Sequence, residues 1–336
     1  MNRALLLLFL LGACADEGVE DRCEAPAPEG RWQRPLRSEL IVALGEPTHA
    51  VRDAFVPRGQ RVRLEGKFAY GPASTDLEGE EVAAFVAVGG CEFLDLGVAA
   101  TDSDGRARFD LRVELPVRSA PYAVEMIVLA DGSRASGGLY VVPPGPVVVF
   151  DIDGTLTTSD LEMVDGIVIH HVGATSEALF ELSGSALSRA QWRGVLDVVF
   201  DEDATVREGA VDLAWAYADA GVQPVYITGR PYLYDAMTRR WLSDRAFPPG
   251  PLFMAQSMAE SIPNVGAYKR ELLLELQSDG HEIRAAYGNA STDVCAYEEA
   301  GIDASRTFII GPNAGSACRG DATQPLSSFP SHEPLL

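Results

Sequence analysis

Two aspartates, Asp151 and Asp153, stand directly after the apolar run Val147–Phe150 and directly before Gly154 and Thr155. A continuous apolar run of that length reads as a strand buried on both faces. In an open parallel sheet, ligands gather beyond the carboxyl ends of the strands, and Asp151 falls at such an end. Asp153 joins it only if the chain bends, which Gly154 permits. Two carboxylates at one strand end repel each other unless a cation compensates. A divalent ion with oxygen ligands does so, and Mg2+ suits a site shared with a phosphate. One carboxylate can then attack phosphorus while the other moves a proton.

The elements that must hold this pair are legible on both sides of it. Pro143-Pro144-Gly145-Pro146 is a stiff boundary that refuses helix. Beyond it, Val225–Thr228, Ile283–Tyr287 and Thr307–Ile310 read as strands. Val206–Ala220, closed by Gly221, reads as a helix, as do a segment opened by Pro231, Tyr268–Gln277 and Thr292–Ala300. Strands alternating with helices predict an α/β domain with a Rossmann-like parallel sheet over 145–320, followed by a flexible tail over 321–336. Upstream, over 49–143, the pattern is one of short alternating runs: Arg61–Glu65, Glu81–Val88, Arg108–Leu115, Tyr122–Leu129 and Gly138–Val142. Period-two alternation broken by turns predicts a β-sandwich. Thr101–Ala107 resembles the turn of bacterial immunoglobulin-like modules, so this domain reads as an immunoglobulin-like spacer or docking module. With 336 residues the chain has room for both domains.

Read in order, four stretches resemble the motifs of the haloacid dehalogenase phosphatases. Val147–Thr157 resembles the first motif. Tyr226-Ile227-Thr228-Gly229-Arg230 resembles the second, Lys269 the third, and Tyr287–Asp293 the fourth. The resemblance implies Asp151 as nucleophile and Asp153 as general acid and base. It also implies a phosphate grip by the Thr228 hydroxyl, with Gly229 and Arg230 at the substrate, and charge neutralisation by Lys269. Mg2+ would be held by Asp151, Asp153 through its backbone carbonyl, and Asp293, with Asn289 standing where many relatives carry a second acid. Arg230 has two readings: contact with substrate phosphate, or pairing with a surface acid. Asp151–Asp160, Pro249–Leu252 and Gly288-Asn289 through Tyr297 narrow the resemblance to the catalytic domain of lipins, also called LNS2, over roughly 147–311. That implies a phosphomonoester substrate, with phosphatidate the specific expectation. The sequence departs from lipins at Thr158 and in the longer stretch 170–203, read as a small helical cap. Within that stretch His170 and His171 have no third ligand nearby, and Asp201–Asp203 reads as a solvated helix start. Arg239-Arg240-Trp241 reads as a helix face.

The N-terminal run Ala4–Leu11 after Arg3 has the layout of a secretory signal, and Leu11-Gly12-Ala13-Cys14 resembles a bacterial lipobox. The expectation is a signal over 1–13, lipidation at Cys14, and a tether over 14–48. The product would be an exported, membrane-anchored lipoprotein of the outer membrane or periplasmic face. Cys23, Cys91, Cys295 and Cys318 then remain, compatible with two local disulfides, Cys23–Cys91 and Cys295–Cys318, or with four free thiols. A formal charge of -22 argues against a nucleic-acid partner, whose grip needs clustered Lys and Arg. Two rival functions stand beside the lipid phosphatase. One is a periplasmic phosphatase for soluble phosphomonoesters. The other is a non-catalytic lipid- or partner-binding lipoprotein with the sandwich as its working part.

Overall fold

A computed structural model describes residues 23–71, 74–158, 204–257, 260 and 264–336. The expected cap over 170–203, with His170, His171 and Asp201–Asp203, lies outside the described residues, as do Cys14 and the signal segment.

The first domain is the expected β-sandwich. One sheet has the order β1-β3-β8, from β1 (Ala50–Val51), β3 (Arg61–Lys67) and β8 (Arg106–Arg112). The other has the order β2-β10-β9-β6-β7, from β2 (Ala54–Val56), β6 (Glu81–Gly89), β7 (Glu92–Ala100), β9 (Tyr122–Val128) and β10 (Arg134–Val141). A short hairpin of β4 (Ala69–Tyr70) and β5 (Thr75–Asp76) sits beside them. Alternation does the sorting: in β3 and β8 the paired Leu64 and Phe109 turn inward, while Arg63 and Asp110 pair in water. Buried Leu64, Val82, Val86, Met126 and Leu139 fill the space between the sheets.

The segment read as a tether is, from residue 23 onward, part of this domain. Cys23 is disulfide-bonded to Cys91. Pro35–Val42 forms a helix, α1, whose N-terminus is capped from a distance. The buried Glu80 carboxylate accepts from the Gln33 and Arg34 amides (2.7 and 2.8 Å) and from the Ser38 hydroxyl (2.5 Å). A carboxylate there satisfies orphan amides and complements the helix dipole.

The second domain is a six-stranded, wholly parallel sheet in the order β13-β12-β11-β14-β15-β16. Its strands are β11 (Pro146–Asp151), β12 (Gln223–Pro231), β13 (Leu252–Ala255), β14 (Glu282–Gly288), β15 (Thr307–Ile310) and β16 (Gln324–Leu326). Counted from β11, the order is that of the Rossmann fold, and the crevice where the order reverses lies between β11 and β14. Helices α2 (Ala210–Asp219), α3 (Asp235–Asp244), α4 (Val265–Ser278) and α5 (Ser291–Glu299) connect the strands. The Cys295–Cys318 disulfide ties α5 to the segment before β16.

Three expectations need correction. The tail is not a free appendage: β16 pairs with β15, Leu326 and Phe329 are buried, and the Tyr287 hydroxyl bonds His332 at 2.7 Å. Helix α2 starts at Ala210 rather than Val206, because Val206 is bridged to Thr157 and Gly209 adopts a left-handed φ of 76°. Pro231 ends β12 instead of opening a helix, a single turn over Tyr232–Tyr234 separating it from α3.

The sandwich is docked on the α/β domain. Asp53, buried in the sandwich, accepts from the Gly138 amide at 2.6 Å, the Leu252 amide at 2.8 Å and the Arg239 guanidinium at 2.9 Å. Arg239, expected on a plain helix face, also holds Asp235. Phe55 stacks on His281, and the Tyr140 hydroxyl donates to the Gly250 carbonyl.

Candidate active site

The site gathers at the carboxyl ends of β11, β12 and β14. Asp151 is the last residue of β11 and is buried. The chain then makes one wide turn over Ile152–Leu156, in which Asp153 and Gly154 leave helical geometry. Gly154 sits at φ 75°, a conformation that costs glycine least, so the bend expected from the sequence is where the chain turns.

Two interlocked clusters result. In the first, the Lys269 ammonium lies 2.6 Å from Asp151 Oδ1 and 2.6 Å from Asp293 Oδ1. The Thr155 hydroxyl lies 2.9 Å from Asp151 Oδ2 and 3.1 Å from Asn289 Oδ1. Asp293 Oδ2 accepts from the Asn289 and Ala290 amides, both at 3.0 Å, which folds it back over the start of α5. Gly288 makes that possible, since a Cβ there would stand 2.6 Å from the Cβ of Asp293. In the second cluster, Arg230 grips Asp153: Nη2 lies 2.7 Å from Oδ1, and Nε 3.0 and 3.1 Å from the two oxygens. The Thr228 hydroxyl donates to Asp153 Oδ2 at 2.9 Å and accepts from the Arg230 amide at 3.0 Å.

Arg230 matches neither expectation as stated: it pairs with an acid, but the acid is buried Asp153 and not a surface group. The side-chain proton of Thr228, expected at the phosphate, is here donated to Asp153. Gly229 brings the chain against the start of α4, where a Cβ would meet Val265 at 2.7 Å.

Burial pushes the Asp151 carboxyl up, with the charges of Asp293 and Asp153 acting the same way, while the Lys269 ammonium opposes them and favours the carboxylate form. Burial disfavours the charged form of Lys269, but Asp151 and Asp293 outweigh it and hold the ammonium charged. Three buried carboxylates therefore face two buried cations, Lys269 and Arg230. Among the described residues, no group of three or more His, Cys, Asp and Glu side chains surrounds one metal position. Asp151 and Asp293 meet on the Lys269 ammonium, and Asp151 and Asn289 meet on the Thr155 hydroxyl; their side-chain oxygens are hard donors of the kind Mg2+ takes.

Sequence reasoning missed two contributors. Thr155 stood inside the first motif without a role. Arg207, whose guanidinium bonds the backbone of the catalytic turn, belongs to no motif.

Comparison with known proteins matches both domains. Residues 179–311 match the family described as "PITM 1-3, LNS2 domain", and residues 47–141 the one described as "PITM 1-3, beta-sandwich domain". Asp151 and Asp153 lie between the two matched stretches. The chain is similar to membrane-associated phosphatidylinositol transfer protein 1 of Rattus norvegicus, 28% identical over 300 residues, covering 86% of this chain and 21% of that protein. It is similar to protein retinal degeneration B of Drosophila melanogaster, 28% identical over 310 residues, covering 91% of this chain and 21% of that protein. It thus spans about a fifth of the length of these relatives. Among solved structures it is similar to CbbY from Rhodobacter sphaeroides in complex with phosphate (TM-score 0.38, 16% identity, 56% of this chain and 95% of that chain). A second is the class C acid phosphatase from Bacillus anthracis with tungstate bound (TM-score 0.30, 19% identity, 45% of this chain and 54% of that chain).

Proposed function

We propose that this chain is a Mg2+-dependent phosphomonoester hydrolase that works through an aspartyl-phosphate on Asp151. The observation that carries the reading is the Lys269 ammonium set 2.6 Å from both Asp151 and Asp293 at the switch point of the sheet. A buried nucleophilic carboxylate beside a fixed cation is suited to an anionic phosphoryl group, whose transfer is governed by positioning and electrostatics.

In the first half-reaction an Asp151 carboxylate oxygen bonds to phosphorus, the bond from phosphorus to the substrate alcohol breaks, and Asp153 gives the departing oxygen its proton. In the second, Asp153 takes a proton from water, whose oxygen bonds to phosphorus as the Asp151–phosphorus bond breaks. Lys269 holds the Asp151 carboxylate in one orientation. Thr155 keeps the other oxygen of Asp151 in register with Asn289. Arg230 and Thr228 fix Asp153. Mg2+, held by Asp151, Asp293 and Asn289 with the Asp153 backbone carbonyl, would neutralise phosphate charge.

Phosphatidate is the proposed substrate. The LNS2 match and relatives named as phosphatidylinositol transfer proteins support a phospholipid ligand. A lipid anchor on Cys14 would hold the site at a bilayer, on an exported face. With a charge of -22 the chain lacks a broad electrostatic grip on anionic headgroups, so activity in neutral mixed micelles should depend weakly on added anionic lipid. The test compares kcat/KM for phosphatidate and for a soluble phosphomonoester, with and without detergent. A roughly tenfold or greater advantage for the soluble ester, about 1.4 kcal/mol in transition-state binding, moves the assignment to a periplasmic phosphatase for soluble substrates. No Mg2+-dependent turnover of any ester moves it to a non-catalytic binding protein.

A further inference from the structure

We infer that Arg207 is a positioning residue that locks the catalytic turn, an inference resting on the hydrolase reading above. Four consecutive carbonyls, three in that turn and that of Thr157 just after it, accept from this one side chain and its own amide. Arg207 Nη2 lies 2.7 Å from the Gly154 oxygen and 3.3 Å from that of Thr157. Its Nε lies 3.0 Å from the Thr155 oxygen, and its backbone amide lies 2.8 Å from the Leu156 oxygen.

The need for such a device follows from the turn itself. Asp153 and Gly154 are not helical, so the segment has no regular ladder to satisfy its carbonyls. Partly buried carbonyls left without donors are costly. A guanidinium suits the task, because its planar fork of N–H groups reaches several acceptors at once, where an ammonium is a compact point charge. The clamp is reinforced by strand-like pairing: Thr157 bridges Val206, and the Thr158 amide donates to the Thr205 carbonyl at 2.9 Å.

What Arg207 fixes is the part of the turn that orients the chemistry. The Thr155 carbonyl it holds belongs to the residue whose hydroxyl sits between Asp151 and Asn289. The Gly154 carbonyl belongs to the residue after Asp153, and the Gly154 amide donates to the Thr157 hydroxyl. Releasing the fork frees the peptide planes on both sides of Thr155, and with them the angle at which Asp153 is delivered.

The test uses the full chain with Mg2+ and p-nitrophenyl phosphate. In Arg207→Ala and Arg207→Lys, kcat should fall on the order of 100-fold with KM little changed, as expected when a reacting group is misplaced rather than lost. Added guanidinium should restore part of the Ala variant's kcat. Leu326→Ala, a core substitution at the far edge of the sheet, serves as the stability control and should keep wild-type kcat well below its melting temperature. Hydrogen exchange gives a readout that needs no turnover: amides of 151–158 should exchange faster in both Arg207 variants while the β14 and β15 amides stay protected. Wild-type kcat in Arg207→Ala, or exchange over 151–158 unchanged, overturns the inference. If the wild-type chain turns over no ester, the hydrolase reading fails, and the exchange result still decides whether Arg207 holds the turn.

Discussion

Arg230 holds Asp153 as a fork holds a carboxylate, with Nη2 at 2.7 Å from Oδ1 and Nε bonded to both oxygens, and both side chains are buried. Thr228, two residues earlier on β12, donates to Oδ2 of the same carboxylate. The end of one strand therefore sets the orientation of the proposed general acid and base.

Arg230→Lys keeps the charge but not the planar fork. It should lower kcat by roughly one to two orders of magnitude, the cost of a misaligned group. Arg230→Ala leaves a buried carboxylate without its partner and should also lose about 3–5 kcal/mol of stability. Steady-state kinetics and urea denaturation of the two variants separate orientation from stability. Wild-type kcat in Arg230→Lys would show that the fork has no part in the chemistry.

Asp53 ties the two domains together. It accepts from an amide of each, and Arg239 is held between Asp53 and Asp235, which keep its guanidinium firmly protonated despite burial. Asp53→Ala orphans two amides and removes one of the two acid partners of a half-buried cation, so a loss of about 2–5 kcal/mol is expected. The two domains of the wild-type chain should melt in one calorimetric transition that splits in the variant. Two transitions already present in the wild type would mean that the interface does not couple them.

Much of this fold was legible because it rests on local pattern. Val147–Phe150, Glu81–Val88 and Thr307–Ile310 are apolar or alternating runs that need no partner to be recognised, and each lies within a strand. Where tertiary contacts decide, local pattern was silent. Gln324–Leu326 is a three-residue edge strand in a Pro- and Ser-rich stretch, and it exists because β15 offers it a partner. Helix α1 lies in a stretch that reads as tether until Glu80, 46 residues from Arg34, supplies its cap. Within the site, the resemblance to the phosphatase motifs implied that Asp151, Lys269 and Asp293 meet, and they do. It did not foresee Arg230 on Asp153, because that depends on which way a buried side chain turns.

His49 provides a pH test of the sandwich. Burial lowers its pKa to about 4, against a smaller opposing effect of Asp131. The folded state therefore keeps the imidazole neutral where the unfolded chain, near 6.5, takes up a proton. The stabilisation is complete above about pH 6.5 and is lost as pH falls toward about 4. Between about pH 7.5 and about pH 5 the loss should be about 2 kcal/mol. The difference in urea stability between wild type and His49→Gln at these two pH values isolates it from other groups. A difference that does not change with pH would rule it out.

Anchoring is tested by expression in a bacterium. The mature protein should begin at an acylated Cys14 and sediment with membranes, and Cys14→Ser should release it. Mass spectrometry showing an unmodified N-terminus at another residue would remove the lipoprotein proposal.

The most direct measurement of the central claim is turnover by Asp151→Asn. The substitution keeps the shape of the side chain and removes the nucleophilic carboxylate beside Lys269. The fold should persist by circular dichroism while Mg2+-dependent hydrolysis of every phosphomonoester tested disappears. An Asp151→Asn protein that is folded and retains about a tenth or more of wild-type kcat would contradict the covalent mechanism and the assignment of Asp151.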